Sequence, residues 1–280
     1  MPVLKDMEIG AMFWAGKDPL ETLKQVKSIG VRCGQVGMGG DIALEGAYIA
    51  AWKAALAAED FAVVTVFAAY TGEDYADSPT VQRTVGFIPS ATRAEREKRT
   101  YEISDFAAAI GAPSIALHVG FVPEDRSDPD YVAVRDMVRR VADYAAKNGQ
   151  TFALETGQEP APILLAFFKD VARPNLRINF DPANLILYGS GDPVEALDVL
   201  GQYVVSVHCK DGNWPDKDKP GCLGVEQPFG EGAVGVERFI AKLKAIGYKG
   251  TLNIEREVED QDRKWRDMKM AYGLLQTLAG

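Results

Sequence analysis

Eight times along this chain, a short run rich in β-branched and other apolar residues gives way to a longer stretch of helical periodicity. The strand-like runs fall near 8–13, 31–36, 61–68, 114–119, 151–155, 176–181, 204–209 and 250–255. The helical stretches fall near 18–29, 44–59, 92–110, 129–148, 160–172, 192–201, 235–246 and 260–278. Such alternation points to a parallel sheet, because each strand must return to the same edge through a helical crossover. Divided over 280 residues, each pair takes roughly 35 residues, a length that suits a βαβ unit. Eight units predict an α/β fold closed into a single-domain (β/α)8 TIM barrel over residues 1–280; a doubly wound open sheet is the alternative topology. Asp18-Pro19 and Asp192-Pro193 read as helix caps followed by first-turn prolines. Gly30, Gly111, Gly149 and Gly247 suit left-handed positions just past helices.

The strand ends carry the chemical signal. Ser114-Ile115-Ala116-Leu117-His118, Thr151-Phe152-Ala153-Leu154-Glu155, Arg177-Ile178-Asn179-Phe180-Asp181, Val205-Ser206-Val207-His208 and Thr251-Leu252-Asn253-Ile254-Glu255 all alternate large apolar residues with small or polar ones. Side chains alternate faces along a strand, so the apolar parity points out toward the helices and the polar parity into the barrel. Each polar series ends in an imidazole or a carboxylate, and these ends converge at the C-terminal mouth, where barrel enzymes keep their chemistry. A lone buried carboxylate is usually salt-bridged or capping a loop. Carboxylates facing one another without a cation would repel and shift their pKa, so three of them with two imidazoles around one mouth point to a divalent metal. The donor set suits Mn²⁺, Mg²⁺, Co²⁺ or Zn²⁺ and does not choose among them.

Composition removes other classes. The net charge of −9 disfavours nucleic acid, which needs clustered Lys and Arg. Three cysteines, Cys33, Cys209 and Cys222, form neither a disulfide framework nor a structural zinc motif. No apolar run approaches the length of a membrane span, and the first residues lack a secretory pattern. The expectation is a cytoplasmic protein acting on a small molecule, with no nucleic-acid or membrane partner. Two long connections, about 70–91 and 212–234, follow strands three and seven on the catalytic side; they read as lids or binding loops, or else as oligomer contacts or surface insertions.

The segments ALETG (with Glu155), NFDPANLILYGSGDPVEAL (Asp181), VVSVHCKDG (His208), PFGEGAV (Glu231) and GTLNIERE (Glu255) resemble the xylose isomerase-like TIM-barrel superfamily, in particular its sugar phosphate isomerase/epimerase group, which includes ketose 3-epimerases and is similar to inosose dehydratases. The resemblance is strongest in the C-terminal half; the N-terminal half shares the βα rhythm and LHVGF, with His118. It implies one divalent metal, manganese first, held by Glu155, Asp181, His208 and Glu255. It also implies that Glu155 and Glu255 are the catalytic acid/base pair. The metal would chelate a carbonyl and a neighbouring hydroxyl, and the two glutamates would remove and return a proton through an enediolate. The chain departs from the ketose epimerases at Asn184, where those enzymes usually carry a His. With only two His, it also departs from the trinuclear zinc nucleases of the superfamily.

Further substrate-binding candidates carry structural alternatives. His118 orients a hydroxyl or is a hydrogen-bonded buried imidazole. Lys210 holds a carbonyl or an anionic group, or pairs with a site carboxylate. Trp14 forms an aromatic wall or packs the mouth, and Glu231 touches substrate or shapes its Gly-rich turn. Arg256 and Cys209 have outward parity and read as an ion pair behind the strand and a core residue; Trp265, Met268 and Tyr272 recur at helical spacing as core or subunit interface. The leading expectation is a metal-dependent isomerase or epimerase of an α-hydroxycarbonyl carbohydrate. A metal-dependent lyase or dehydratase on a keto-sugar or keto-inositol is the alternative, and a non-catalytic sugar-binding barrel is a third. A phosphorylated substrate is left open, since no Gly-rich phosphate loop is present. No oligomeric state can be read from the sequence; dimers or tetramers are common among the proteins it resembles, so a homo-oligomer is one option by analogy.

Overall fold

The computed structural model describes residues 2–279. Seven parallel barrel strands, β1 (Ile9–Trp14), β2 (Cys33–Met38), β3 (Ala62–Ala68), β4 (Ser114–Leu117), β5 (Thr151–Glu155), β6 (Leu176–Phe180) and β7 (Val204–Cys209), precede a short hairpin of β8 (Asp211–Asn213) and β9 (Val225–Gln227). The eighth barrel strand is β10 (Thr251–Ile254). It pairs with both β7 and β1, which closes the sheet into a parallel barrel and rules out the open doubly wound alternative.

The helices are α1 (Pro19–Lys27), α2 (Gly46–Glu59), α3 (Ser78–Thr84), α4 (Arg93–Ile110), α5 (Pro129–Lys147), α6 (Ala161–Val171), α7 (Pro182–Leu187), α8 (Pro193–Leu200), α9 (Val236–Ala245) and α10 (Gln261–Ala279). Asp18 and Asp192 cap α1 and α8 by accepting two backbone N–H bonds each. Two short helices and the hairpin were not expected. Asp77 caps α3 inside the first long connection, and Asp181 caps α7 directly after β6, each followed within two residues by proline. The same cap signal is present in the sequence there, but helices of six or seven residues are too short to show periodicity. Gly30, Gly111, Gly149 and Gly247 all have positive φ, as expected at helix exits. Among the described residues no helix is long and apolar enough to cross a membrane.

The main core lies between strands and helices. Outward residues such as Phe152, Leu154, Ile178, Phe180, Val207 and Cys209 pack there, with Met268 of α10 fully buried and Trp265 and Tyr272 half-buried against it. The bore is filled differently: Met12, Phe67, Ala116 and Ala153 form a small apolar cluster at its inner face. Beside them sit the buried polar residues Gln35, Asn179, Ser206, His208 and Asn253. A polar bore roofed by strand-end carboxylates is what the inward parity requires.

The two long connections meet across the mouth. Ser78 N donates to Gly221 O at 3.0 Å, joining the connection after β3 to the hairpin after β7. Asp211 organises the hairpin loop from one buried carboxylate: Oδ1 accepts from the N–H groups of Gly212 and Val234, and Oδ2 from those of Gly230 and Gly232. A Cβ at Gly232 would stand 2.2 Å from Asp211 Oδ1, so the glycine is there to let the carboxylate in.

Candidate metal centre and active-site cavity

Glu155 ends β5, Asp181 follows β6, His208 lies in β7 and Glu255 follows β10. Their inward parity brings one ligand-type atom from each within 4.8 Å of all the others. His208 Nδ1 is 2.7 Å from Glu155 Oε1, 2.9 Å from Glu255 Oε2 and 3.7 Å from Asp181 Oδ2. Yet His208 Nδ1, Asp181 Oδ2 and Glu255 Oε2 are buried without hydrogen-bond alignment to anything. Buried polar atoms are rarely left so. These atoms crowd together in one place, and three carboxylates with one imidazole carry the charge and donor types that suit a hard or borderline divalent cation. The residues fit such an ion.

The surrounding bonds orient each donor. Asp181 Oδ1 accepts from Asn184 N at 2.9 Å as the cap of α7, which leaves Oδ2 toward the centre. Thr156 Oγ1 donates to Asp181 O and accepts from Asp181 N, tying the ends of β5 and β6 together. His208 Nε2 lies 3.0 Å from Gln35 Oε1 and 3.1 Å from Asn179 Nδ2; Gln35 Nε2 donates to Asn179 Oδ1, which also accepts from Ser206 Oγ. These contacts at Nε2 fix the orientation of the ring, with Nδ1 turned toward the carboxylates.

Electrostatics follow from burying these charges together. Burial raises Asp181 to about 6. Burial would also raise Glu155 and Glu255, but the imidazoles of His118 and His208 hold Glu155 well below the usual range, while His208 and Lys210 hold Glu255 at about 2. Burial alone would lower His208, and the charges of Glu255 and Glu155 override it and raise it well above an ordinary imidazole. A positive charge at the centre of the carboxylates is thus strongly favoured, whether as a proton on the imidazole or as a cation.

All four of these residues except Asp181 line a cavity of about 400 Å³ at the barrel mouth, along with Trp14, His118, Asn184 and Lys210. His118 Nε2 lies 2.7 Å from Glu155 Oε2, and its Nδ1 faces Gln158 Nε2 at 3.4 Å. Asn184 Nδ2 approaches Glu155 Oε1 at 3.5 Å. Lys210 Nζ pairs with Glu257 at 2.6 Å and reaches Glu255 at 3.6 Å. Glu231 is exposed in the turn after β9 and stands apart from the cavity lining, because Asp211 gathers the backbone of that turn and leaves its side chain facing out. Arg256 pairs behind the strand with Glu226 at 2.7 Å and Asp267 at 3.0 Å, fastening β9 to the mouth.

Several residues went unread in the sequence. Gln35 has the inward parity of β2 and Asn179 the parity of Asp181, so alternation already carried their signal. Glu73, Tyr75, Tyr188, Glu226 and Glu257 line the cavity from loops, a short helix exit and the hairpin, where no periodicity marks orientation.

A family model described as xylose isomerase-like TIM barrel matches residues 23–272. A crystal structure of a xylose isomerase domain protein from Planctomyces limnophilus is 42% identical, with a TM-score of 0.93, covering 98% of this chain and 97% of that one. D-psicose 3-epimerase from Clostridium cellulolyticum H10, solved with D-tagatose, is 14% identical with a TM-score of 0.72 over 97% and 99% of the two chains, a likeness of fold. The uncharacterized protein MJ1311 of Methanocaldococcus jannaschii is 29% identical over 163 residues, 54% of this chain. The chain spans about half the length of that curated relative, 53%.

Proposed function

This chain belongs to the xylose isomerase-like TIM-barrel family, and from that premise we propose that it is a divalent-metal-dependent isomerase or epimerase of an uncharged α-hydroxycarbonyl carbohydrate. The observation that carries the proposal is the convergence of Glu155, Asp181, His208 and Glu255, with three of their atoms buried and otherwise unpartnered. These four would hold the ion, with Mn²⁺ the first candidate. When bound, it supplies Lewis acidity to a carbonyl and its neighbouring hydroxyl.

The chain's own residues do the rest. Glu155 and Glu255 form the proton-moving pair: one carboxylate takes the proton from the carbon beside the carbonyl, and the other returns one to the opposite face or to the adjacent carbon. His118 donates to Glu155 and holds it in place. Asn184 sets an amide beside the same carboxylate, where a substrate hydroxyl would meet it. Trp14 and Phe67 supply apolar wall, which excludes water and strengthens the charged contacts. The lack of substrate charge is supported by the lining. Glu73, Glu155, Glu226, Glu255 and Glu257 face Lys210, the one Lys or Arg there among the described residues, and Lys210 is already bound to Glu257. A phosphate or carboxylate would enter against that field.

The test is elemental analysis of the purified protein beside His208→Ala, followed by a screen of ketoses, aldoses and inososes. About one ion per chain, lost in the variant, is expected, together with turnover that conserves mass. Glu255→Gln should lower that turnover about 10²-fold or more. Absence of metal at saturating Mn²⁺ sinks the reading, and loss of water from the product moves the assignment to a dehydratase.

A further inference from the structure

We propose that the molecule carries a second carbohydrate subsite, in the cleft between Tyr188 and Trp214, and that its substrate is therefore a glycoside or a ketose-containing disaccharide; this rests on the carbohydrate reading above. The cleft measures about 640 Å³ and adjoins the active-site cavity, with Tyr188 lining both. Tyr188 is held from behind. Phe121 meets its ring edge-on at 5.7 Å, and a Cβ on Gly157 would come within 3.2 Å of that ring, so the glycine admits it.

Trp214 is 45% exposed, unusual for a residue that is highly buried on average. It is not displayed on a slack loop. Asn213, its neighbour, pairs with Val225 in the hairpin ladder, Gly224 N donates to Leu187 O at 2.8 Å, and Asp211 gathers the loop beyond. The opposite wall is joined to the same hairpin through Ser78 N and Gly221 O. An indole held out by a preorganised scaffold costs little further order on binding. Ser78, Asp216 and Lys217 also line the cleft and add hydroxyl, carboxylate and ammonium groups around the aromatic faces. That is the chemistry of a pyranose, whose C–H face stacks on an aromatic ring while its hydroxyls take polar partners. Asp216 and Lys219 pair with each other at 3.3 Å, so the cleft is not a cluster of unopposed cations suited to phosphate. One ring in the cavity lined by Glu155, His208 and Glu255 and a second past Tyr188 would fill both cavities with one ligand.

The experiment is calorimetric titration of the Mn²⁺-loaded protein with D-fructose, and with lactulose and maltulose, in which the same ketose carries a second ring. At least one disaccharide should bind about tenfold or more tightly than D-fructose. Trp214→Ala should collapse that ratio toward one, and Trp214→Phe should keep most of it. Binding of D-fructose with no gain from either second ring overturns the subsite and leaves the proposed activity standing; binding of none of the three also overturns the subsite, while the proposed activity stands or falls separately on the metal analysis and the wider substrate screen. Sedimentation of the same variants gives the remaining check: a dimer that Trp214→Ala dissociates would assign the indole to a subunit contact and overturn the subsite.

Discussion

His208 shows how much one buried side chain depends on its neighbours. Its Nδ1 faces three carboxylates while Nε2 meets Gln35, a residue 173 positions away in sequence. Glu159 is a second buried group with a titration of its own. Its Oε1 accepts from Val122 N at 2.7 Å, its Oε2 is buried without a partner, and burial lifts its carboxyl from 4.5 to about 7. Below the unfolded value both states are protonated. Between 4.5 and about 7 the unfolded chain gives up its proton first, so this group makes stability fall as pH rises, by up to about 3 kcal/mol in all, with no further loss above that window. The melting temperature of Glu159→Gln should therefore gain on the wild type between pH 5 and pH 8. A difference that stays constant across that range would show the carboxyl ionised throughout.

At the scale of elements, the hairpin of β8 and β9 owes its shape to Asp211 more than to its two short strands. Four backbone N–H groups end on that carboxylate, which is 1% exposed. Removing it leaves buried donors without acceptors, a cost of about 1–3 kcal/mol for each one that water cannot reach. Asp211→Ala should open residues 212–234 to limited proteolysis while the far-ultraviolet dichroism of the barrel persists. Digestion as slow as in the wild type would mean that Arg256, through Glu226, holds the hairpin unaided. The PFGEGAV segment is legible in this light: Gly232 lets the carboxylate in, Gly230 takes a positive φ while donating to the same carboxylate, and Glu231 between them is exposed.

At the scale of the whole molecule, the candidate ligands come from β5, β7 and the exits of β6 and β10, so an ion there would tie half the barrel together and bind only the folded chain. At a hundred times its dissociation constant such an ion adds about 2.7 kcal/mol, which raises the melting temperature by about 5–10 °C for a domain of this size. Scanning calorimetry with added Mn²⁺ should show that rise, chelator should reverse it, and His208→Ala should abolish it. An unchanged transition in the wild type would leave the four residues as a structural cluster.

The amino-acid sequence by itself determined the eight barrel strands, their parallel order and the parity of every strand-end donor, because alternation along a strand is local and survives without knowledge of neighbours; the two strands of the hairpin were too short to show it. Glu155, Asp181, His208 and Glu255 could be named for that reason, and so could His118. What only the tertiary structure decided was closure and everything closure brings together. Gln35 meets His208 and Asn179 across the bore because closure brings β2 within reach of β7 and β6, a relation no local pattern encodes. Glu257 reaches Lys210, and Ser78 reaches Gly221, because loops fold back by bonds between residues far apart in the chain. Loops have no period to read, so the walls of the cavity, unlike its floor, had to be seen in three dimensions.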